Sequence, residues 1–333
     1  MTGIADVAAR AGVSKATASR ALTGTGYVSA ATRTRVQEVA EELGYVASTS
    51  AVSLATGRTK NIGVVMPYLN RWFFAEVLEG VQAALLTEGL DLTLYDARPG
   101  TDGRRRIFDD FLARKRFDGL IAVGLEPEDH ELDQLTRIGR PIVSVVGTGE
   151  STSVIAIDDD HAARLATEHL IGLGHTAIAF IGGAGPHAAF VDQQRLQGYR
   201  SAMAEAGLAA LIRHVPAEVS LPGGYAAAAD ILGDARERPT AIVGVCDEVA
   251  VGAIIAARRQ GIQVPGTLSV VGIDDHEYAD MFSLTTLRQV PREQGAAAVA
   301  TLLAEIDDPE RPRTVLHTRA RLIVRTSTAG PPR

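Results

Sequence analysis

The stretch Ile4–Leu22, IADVAARAGVSKATASRAL, carries two short helical patterns with a break between them. Ile4, Val7, Ala8 and Ala11 recur at i, i+3, i+4 and i+7, the spacing of one apolar helix face. Gly12 then supplies the backbone freedom that a tight turn between helices demands. Ser14 is placed to cap a second helix, because its hydroxyl can accept a backbone N–H left free in the first turn. That second helix, Lys15–Leu22, is expected to bury Ala18 and Leu22 and to leave Lys15, Ala16, Thr17, Ser19 and Arg20 facing out. Two short helices about a glycine turn, the second bearing small, hydroxyl and basic groups, make a helix-turn-helix. Ala16 would let the helix approach base edges closely. Thr17 and Ser19 can hold phosphates and Arg20 can reach guanine, with Ser14 and Lys15 completing the expected DNA-facing set.

Further along, Val28-Ser29-Ala30-Ala31-Thr32 opens a third helix with Val36, Val39, Ala40 and Leu43 on one face. Gly44 closes it in the position that favours glycine after a helix. Three helices sharing a small core would make a compact DNA-binding head. Over these residues the chain resembles the lactose/galactose-repressor family of bacterial transcription regulators. The resemblance rests on Ile4-Ala5-Asp6-Val7-Ala8, Ala11-Gly12-Val13-Ser14, Thr17-Ala18-Ser19-Arg20-Ala21-Leu22, Val28-Ser29, Thr32-Arg33 and Leu43-Gly44-Tyr45. The chain departs from the family at Ala18, usually Val, and Thr23, usually Asn.

Val46–Lys60 reads as a linker rich in Ser, Thr and Ala. Its Ser50–Ala55 could form one or two helical turns, too short to be stable alone in water. The resemblance implies a hinge helix that folds on the operator and pushes Leu54 into the minor groove. Ala47 stands where the family usually has Pro, and Val52 where it usually has Arg.

The bulk properties agree with a reader of DNA carried on a separate body. Of 333 residues, 46% are hydrophobic, enough for two or three cored domains. The net charge of −7 argues against a protein that coats nucleic acid along its whole surface. Residues 1–60 hold an excess of Lys and Arg over Asp and Glu, so the acid excess lies in the remainder. A single cysteine, Cys246, excludes an internal disulfide and fits a reducing compartment. No apolar run approaches the ~20 residues of a membrane span, and MTGIADVAAR does not read as a signal peptide. A cytoplasmic, nucleoid-associated protein is expected.

From Asn61 onward short Val/Ile/Leu runs alternate with helical stretches, the mark of parallel strands buried on both faces. Strands are expected at Ile62–Met66, Leu90–Tyr95, Gly119–Val123 and Pro141–Val146, with helices at Phe73–Glu88, Gly103–Arg114 and His130–Ile138. The rhythm restarts at the Asp159–Leu173 helix and runs to the Leu268–Ile273 strand. Two doubly wound α/β units follow, with a tail that crosses back between them. The family resemblance covers this region too and implies a type I periplasmic-binding-protein fold. The expected division is a helix-turn-helix head at 1–46, a hinge at 47–60 and a body at 61–326. The body would split into an N-lobe (about 61–158 and 290–317) and a C-lobe (about 159–289 and 318–326).

Ligands of such sheets bind outside the carboxyl ends of the strands, which puts a site between the lobes. Asn70, Trp72 and Phe73 follow the first strand and could meet a sugar or base ring. Arg195, in Arg195-Leu196-Gln197-Gly198-Tyr199, matches the family's effector arginine and offers a fork of donors. Asp274 ends a buried strand, where a carboxylate can accept two hydroxyl hydrogen bonds. Asp247 reads as a helix cap, as do the acids of Asp158-Asp159-Asp160, and His175 as a structural helix terminus. Cys246 stands where sugar-responsive members often have Asn, so the resemblance implies a small effector of the carbohydrate class without its identity. Gly182-Gly183-Ala184-Gly185-Pro186 lacks the Gly-Lys-Ser/Thr ending of a phosphate loop. With no nucleophile–base set and no metal-ligand spacing, neither enzyme, cofactor nor metal is expected. The competing class is a carbohydrate-binding or carbohydrate-modifying protein with an accessory head. The expected partners are palindromic operator DNA, a small effector and a second copy of the chain. Beyond the last strand no apolar heptad follows, so a dimer and not a tetramer is expected.

Overall fold

The computed structural model describes residues 3–24, 26–45, 57–147, 151–183 and 189–332. The hinge residues Ala47, Val52 and Leu54 lie outside the described residues. The head consists of α1 (Ile4–Ala11), α2 (Lys15–Thr23) and α3 (Ala30–Glu42). Gly12, at φ +66°, ends α1 in the left-handed region that favours glycine. Ser14 caps α2 by accepting the Thr17 N–H at 3.1 Å, and Ser29 caps α3 through Thr32. The small core joins Val7, Ala8, Ala11, Ala18, Ala21, Val36 and Ala40. The expectation that α2 buries Ala18 and Leu22 needs a correction. Ala21 is the second buried position, and Leu22 packs against the edge of the core, half-buried.

The body holds two six-stranded sheets. The first contains β1 (Asn61–Met66), β2 (Asp91–Asp96), β3 (Gly119–Val123), β4 (Ile142–Val145), β5 (Ser153–Ile157) and β11 (Val315–Thr318). The second contains β6 (Ile178–Ile181), β7 (Arg213–Val215), β8 (Ala241–Gly244), β9 (Ser269–Asp274), β10 (Thr285–Arg288) and β12 (Arg321–Ile323). Their orders are β11-β5-β4-β3-β1-β2 and β12-β10-β9-β8-β6-β7. Every pairing is parallel except β10 with β12. Buried on both faces, the strands read as continuous apolar runs, because helices cover each side.

In the first lobe, α4 (Trp72–Thr87) and α11 (Pro291–Asp307) cover one face through Val77, Val81, Leu85, Ala298 and Leu302. Phe108, Leu112, Leu135 and Ile138 cover the other, from the segment after α5 (Asp102–Arg106) and from α6 (Asp129–Ile138). The second lobe packs α7 (Asp159–Gly172) with α8 (Phe190–Glu205) and α9 (Leu221–Leu232) with α10 (Asp247–Arg259). Glycines allow these helices to touch backbone to backbone. A Cβ at Gly80 would strike the Arg292 carbonyl, and one at Gly295 the Val77 carbonyl.

The chain passes between the lobes three times, from β5 to α7, from β10 to α11 and from β11 to β12. Two sequence readings fall short here. Ser153–Ile157 forms a fully buried strand that the pattern did not single out, wedged between β4 and β11. The helix expected over Gly103–Arg114 is interrupted: Ile107–Phe111 widens into a π-turn and Leu112–Arg114 tightens before Lys115 reverses at φ +47°. Buried Phe108 and Leu112 hold this irregular stretch against the sheet.

Candidate DNA interface and effector cleft

On the head, Lys15, Ala16 and Arg20 are exposed along one side of α2, while Thr17 and Ser19 are half-buried. The Ser14 hydroxyl lies 2.9 Å from that of Thr17 besides capping the helix. Arg20 folds along its own helix: Nε donates to the Ala16 carbonyl at 3.3 Å and Nη2 to Thr17 Oγ1 at 3.5 Å. These bonds are exposed and weakly placed, so the guanidinium can be exchanged onto a base at little cost. Ala16, with no side chain beyond Cβ, leaves the exposed side of α2 close to the backbone.

The second site follows from topology. In each sheet the chain winds outward from the strand pair at which the order reverses, β1/β3 in one and β6/β8 in the other. Ligand sites form at the carboxyl ends of such pairs. Tyr68, Leu69, Asn70 and Arg71 follow β1, and Glu126 follows β3; Val245, Cys246 and Asp247 follow β8. Arg195, two turns into α8, is buried here and ends its reach on all sides. Its Nε donates to Asp159 Oδ1 at 2.8 Å and its Nη1 to the Val245 carbonyl at 2.7 Å. Its Nη2 stands 3.8 Å from Asp274 Oδ1. Asp274, the last residue of β9, holds φ +136° and accepts Gln289 Nε2 at 2.6 Å. Gln289 in turn accepts from Gln294 on α11 at 2.9 Å, a line of bonds from the C-lobe strand end to an N-lobe helix.

Burial works against the Arg195 charge, but the carboxylates of Asp159 and Asp274 more than offset it and hold the guanidinium protonated. Burial pushes the Asp274 carboxyl up to about 6 against the pull of Arg195. Asp247, fully buried, is pushed up to about 8 by burial and then by the charge of Asp274. Its oxygens accept Thr286 Oγ1 at 2.6 Å and the His276 N–H at 2.9 Å. The reading of Asp247 as a cap is therefore corrected: its side chain ties α10 to the loop after β9, and Cys246 occupies the cap position. In the run Asp158-Asp159-Asp160, Asp158 does cap α7, but Asp159 turns inward to Arg195. His175 is structural, as expected. Its backbone N–H closes α7 on Leu170, while its ring is buried among Thr240, Ser269 and the Ala329 carbonyl.

Trp72, at the start of α4, stacks on His276 with centroids 4.8 Å apart, a direct contact between the lobes. His276 continues onto Tyr278 at 4.9 Å. Arg71 lies over the Tyr68 ring and 3.9 Å from Glu218, and Glu126 accepts the Phe190 N–H, two further contacts across the cleft. Asn70 is exposed at its rim. Phe73 stands edge-on to Phe74 and packs against the N-lobe core, on the sheet side of α4. A cavity of about 190 Å3 opens beside the cleft near the crossovers, lined from both lobes by Ala156, Asp159, Phe190, Gln194 and His317. Cys246 is buried and its thiol is pushed well up by burial, which removes its use as a nucleophile. Asp192, His276 and Gln289 escaped the sequence reading, and Asp159 entered it only as a cap. Each sits next to a residue that it did single out, but inward-facing acids at helix starts look like caps in one dimension.

A helix-turn-helix head on a two-lobed α/β body with a polar cleft defines a ligand-responsive DNA-binding protein. Residues 3–48 match the model of bacterial regulatory proteins of the lacI family, and residues 167–328 match a periplasmic binding protein-like domain. The HTH-type transcriptional repressor PurR of Vibrio campbellii is 33% identical over 337 residues, covering 98% of both chains. The lac repressor dimer bound to operator and the anti-inducer ONPF superposes with a TM-score of 0.86 at 25% identity, over 98% of this chain and 99% of that one. The CelR–cellobiose complex superposes at 0.70 with 28% identity, over 98% and 100%. The chain belongs to the lacI family of bacterial regulatory proteins. It is a DNA-binding transcriptional repressor under the control of a small-molecule effector, and not an enzyme.

Proposed function

We propose that two copies of the chain place their α2 helices in successive major grooves of a palindromic operator, and that a carbohydrate bound between the lobes sets their affinity. The protein works in the cytoplasm, on the nucleoid. The units are a head at 1–46, a hinge at 47–60 and a body at 61–326, with lobes joined at the three crossovers. Ser14, Lys15, Ala16, Thr17, Ser19 and Arg20 supply the head's contacts, and Leu54 of each hinge enters the minor groove. Asn70, Trp72, Arg195 and Asp274 serve the effector, and Phe73, expected with them from the sequence, supports Trp72 from the N-lobe core.

One observation carries this reading: Arg195 and Asp274 are buried together at the carboxyl ends of the strands, with Asp274 two residues along the chain from His276, whose contact with Trp72 joins the lobes. A ligand placed there changes the spacing of the lobes and therefore of the heads attached to them. The relative solved with cellobiose supports a carbohydrate. The test combines a mobility shift on promoter DNA beside the protein's own gene with thermal shifts against neutral sugars. A ligand at a hundredfold excess over Kd raises stability by ~2.7 kcal/mol. Coupling between two sites typically amounts to ~1–3 kcal/mol. Arg195→Ala is expected to abolish the ligand's effect on operator affinity. An intact response in this variant would sink the assignment of the cleft.

A further inference from the structure

The cleft holds far more acid than base. Asp159, Asp274, Glu126 and Glu248 exert their charge on this site, and Asp192 and Asp247 are buried beside them, Asp247 pushed up to about 8 and so neutral near pH 7. Against them stand Arg195, Arg71 and, beside Asp159, His317. Arg195 is spent on Asp159, the Val245 carbonyl and Asp274, and Arg71 lies on Tyr68 beside Glu218. Among the described residues Arg195 is fully engaged, and Arg71 is the one guanidinium of the two that is loosely held.

Asp192 differs from the other acids. It sits on α8 one turn before Arg195, so both face the same way. It is only 8% exposed. Asp159 has Arg195, Asp247 has Thr286 and His276, and Asp274 has Gln289. Among the described residues Asp192 accepts no hydrogen bond and joins no ion pair. Its carboxyl feels Arg195 and Asp159 from its own lobe and Glu126 and Arg71 from the other, which places it between the two. Among the described residues its oxygens meet no protein donor, and they keep a narrow access to solvent, so a ligand's hydrogen-bond donor can take the place of water there.

Resting on the cleft reading above, we infer that Asp192 is the residue that selects the effector: it receives a donor group, hydroxyl or amine, of a ligand that carries no negative charge. Phosphorylated sugars, sugar acids and nucleotides are refused, because each would set an anion among more carboxyl groups than the guanidinium groups of the described residues offset. Neutral polyols, nucleosides and amino sugars share the required chemistry.

The experiment uses the full-length protein and a fluorescent operator duplex obtained by binding-site selection. A bacterial small-molecule extract is split on an anion exchanger. Each fraction is tested for its effect on operator affinity. The unretained fraction, neutral and cationic, is expected to shift the affinity by roughly tenfold, and the retained anions to have no effect. Activity in the retained fraction, or in neither, overturns the charge class. The ratio of affinities with and without the unretained fraction is then measured for Asp192→Asn and Arg195→Ala. Asp192→Asn is expected to need about tenfold more of the fraction for the same shift, since an amide keeps the shape but offers a weaker acceptor. An unchanged requirement overturns the role of Asp192. If Arg195→Ala also responds like the wild type, the cleft reading itself has failed; if only Asp192→Asn does, the cleft stands and its selecting residue lies elsewhere.

Discussion

Arg20 and Asp192 show how one side chain can be read from its surroundings. Arg20 lies folded on Ala16 and Thr17 at the surface, ready to leave for a stronger partner. Arg20→Ala is expected to cost ~1–3 kcal/mol of discrimination at one base pair in each half-site. A binding-site selection checks this, and wild-type base preference in the variant would show that α2 is not the recognition helix. Asp192 is governed by burial, which pushes its carboxyl from 3.8 to about 6 against the pull of Arg195. A carboxyl raised in the fold binds its proton more tightly there than in the unfolded chain. It therefore lowers stability as pH climbs from about 4 to about 6, and the loss persists above that. Asp192→Asn should melt later than wild type at pH 8, by at most about 3 kcal/mol, and with no such gain at pH 4. Equal gains at both values would mean that the charge of Asp192 is not the cause.

Among the elements, the N-lobe pair α4 and α11 shows what sequence spacing conceals. Gly80 and Gly295 lie far apart in the chain, yet each faces a carbonyl of the other helix. The two backbones meet where side chains would otherwise hold them apart. Gly295→Ala must push α11 away from Val77 and with it the Gln294–Gln289–Asp274 line of bonds. We expect a loss of roughly 1–3 kcal/mol by overpacking, read as a lower urea midpoint with unchanged slope. A wild-type midpoint would show that the crossing yields without strain. The head behaves in the opposite way. Its helices are set by local signals, with Gly12 at φ +66° and Ser14 and Ser29 as caps, and its core is mostly alanine and valine.

At the scale of the molecule, a head of three short helices reads only a few base pairs, and two heads on a two-fold site give useful specificity. Sedimentation at micromolar concentration should therefore show a dimer. A monomer at that concentration, or a stable tetramer, would contradict this arrangement. The lobes are joined both by covalent crossings and by separable contacts: Trp72 on His276, Arg71 near Glu218 and Glu126 on the Phe190 N–H. Those contacts can open without breaking either core, since each lobe buries its own sheet between its own helices.

The head, the repeated β–α rhythm of the body and the place of Asp274 at a strand end were legible in the chain itself, whereas Arg195, on a helix, was singled out only by the family resemblance. Periodicity, caps and glycine turns act over a few residues, and strand-end sites follow from topology. The short strand Ser153–Ile157 was not legible, because five residues between two polar stretches take on meaning only when β4 and β11 lie on either side. The inward turn of Asp159, the ties of Asp247 to Thr286 and His276 and the isolation of Asp192 belong to the tertiary structure alone. Caps and buried ligands can be the same residue type at the same helix position. What separates them is which distant groups the fold brings within about 3 Å, and the spacing of residues along a chain holds no record of that.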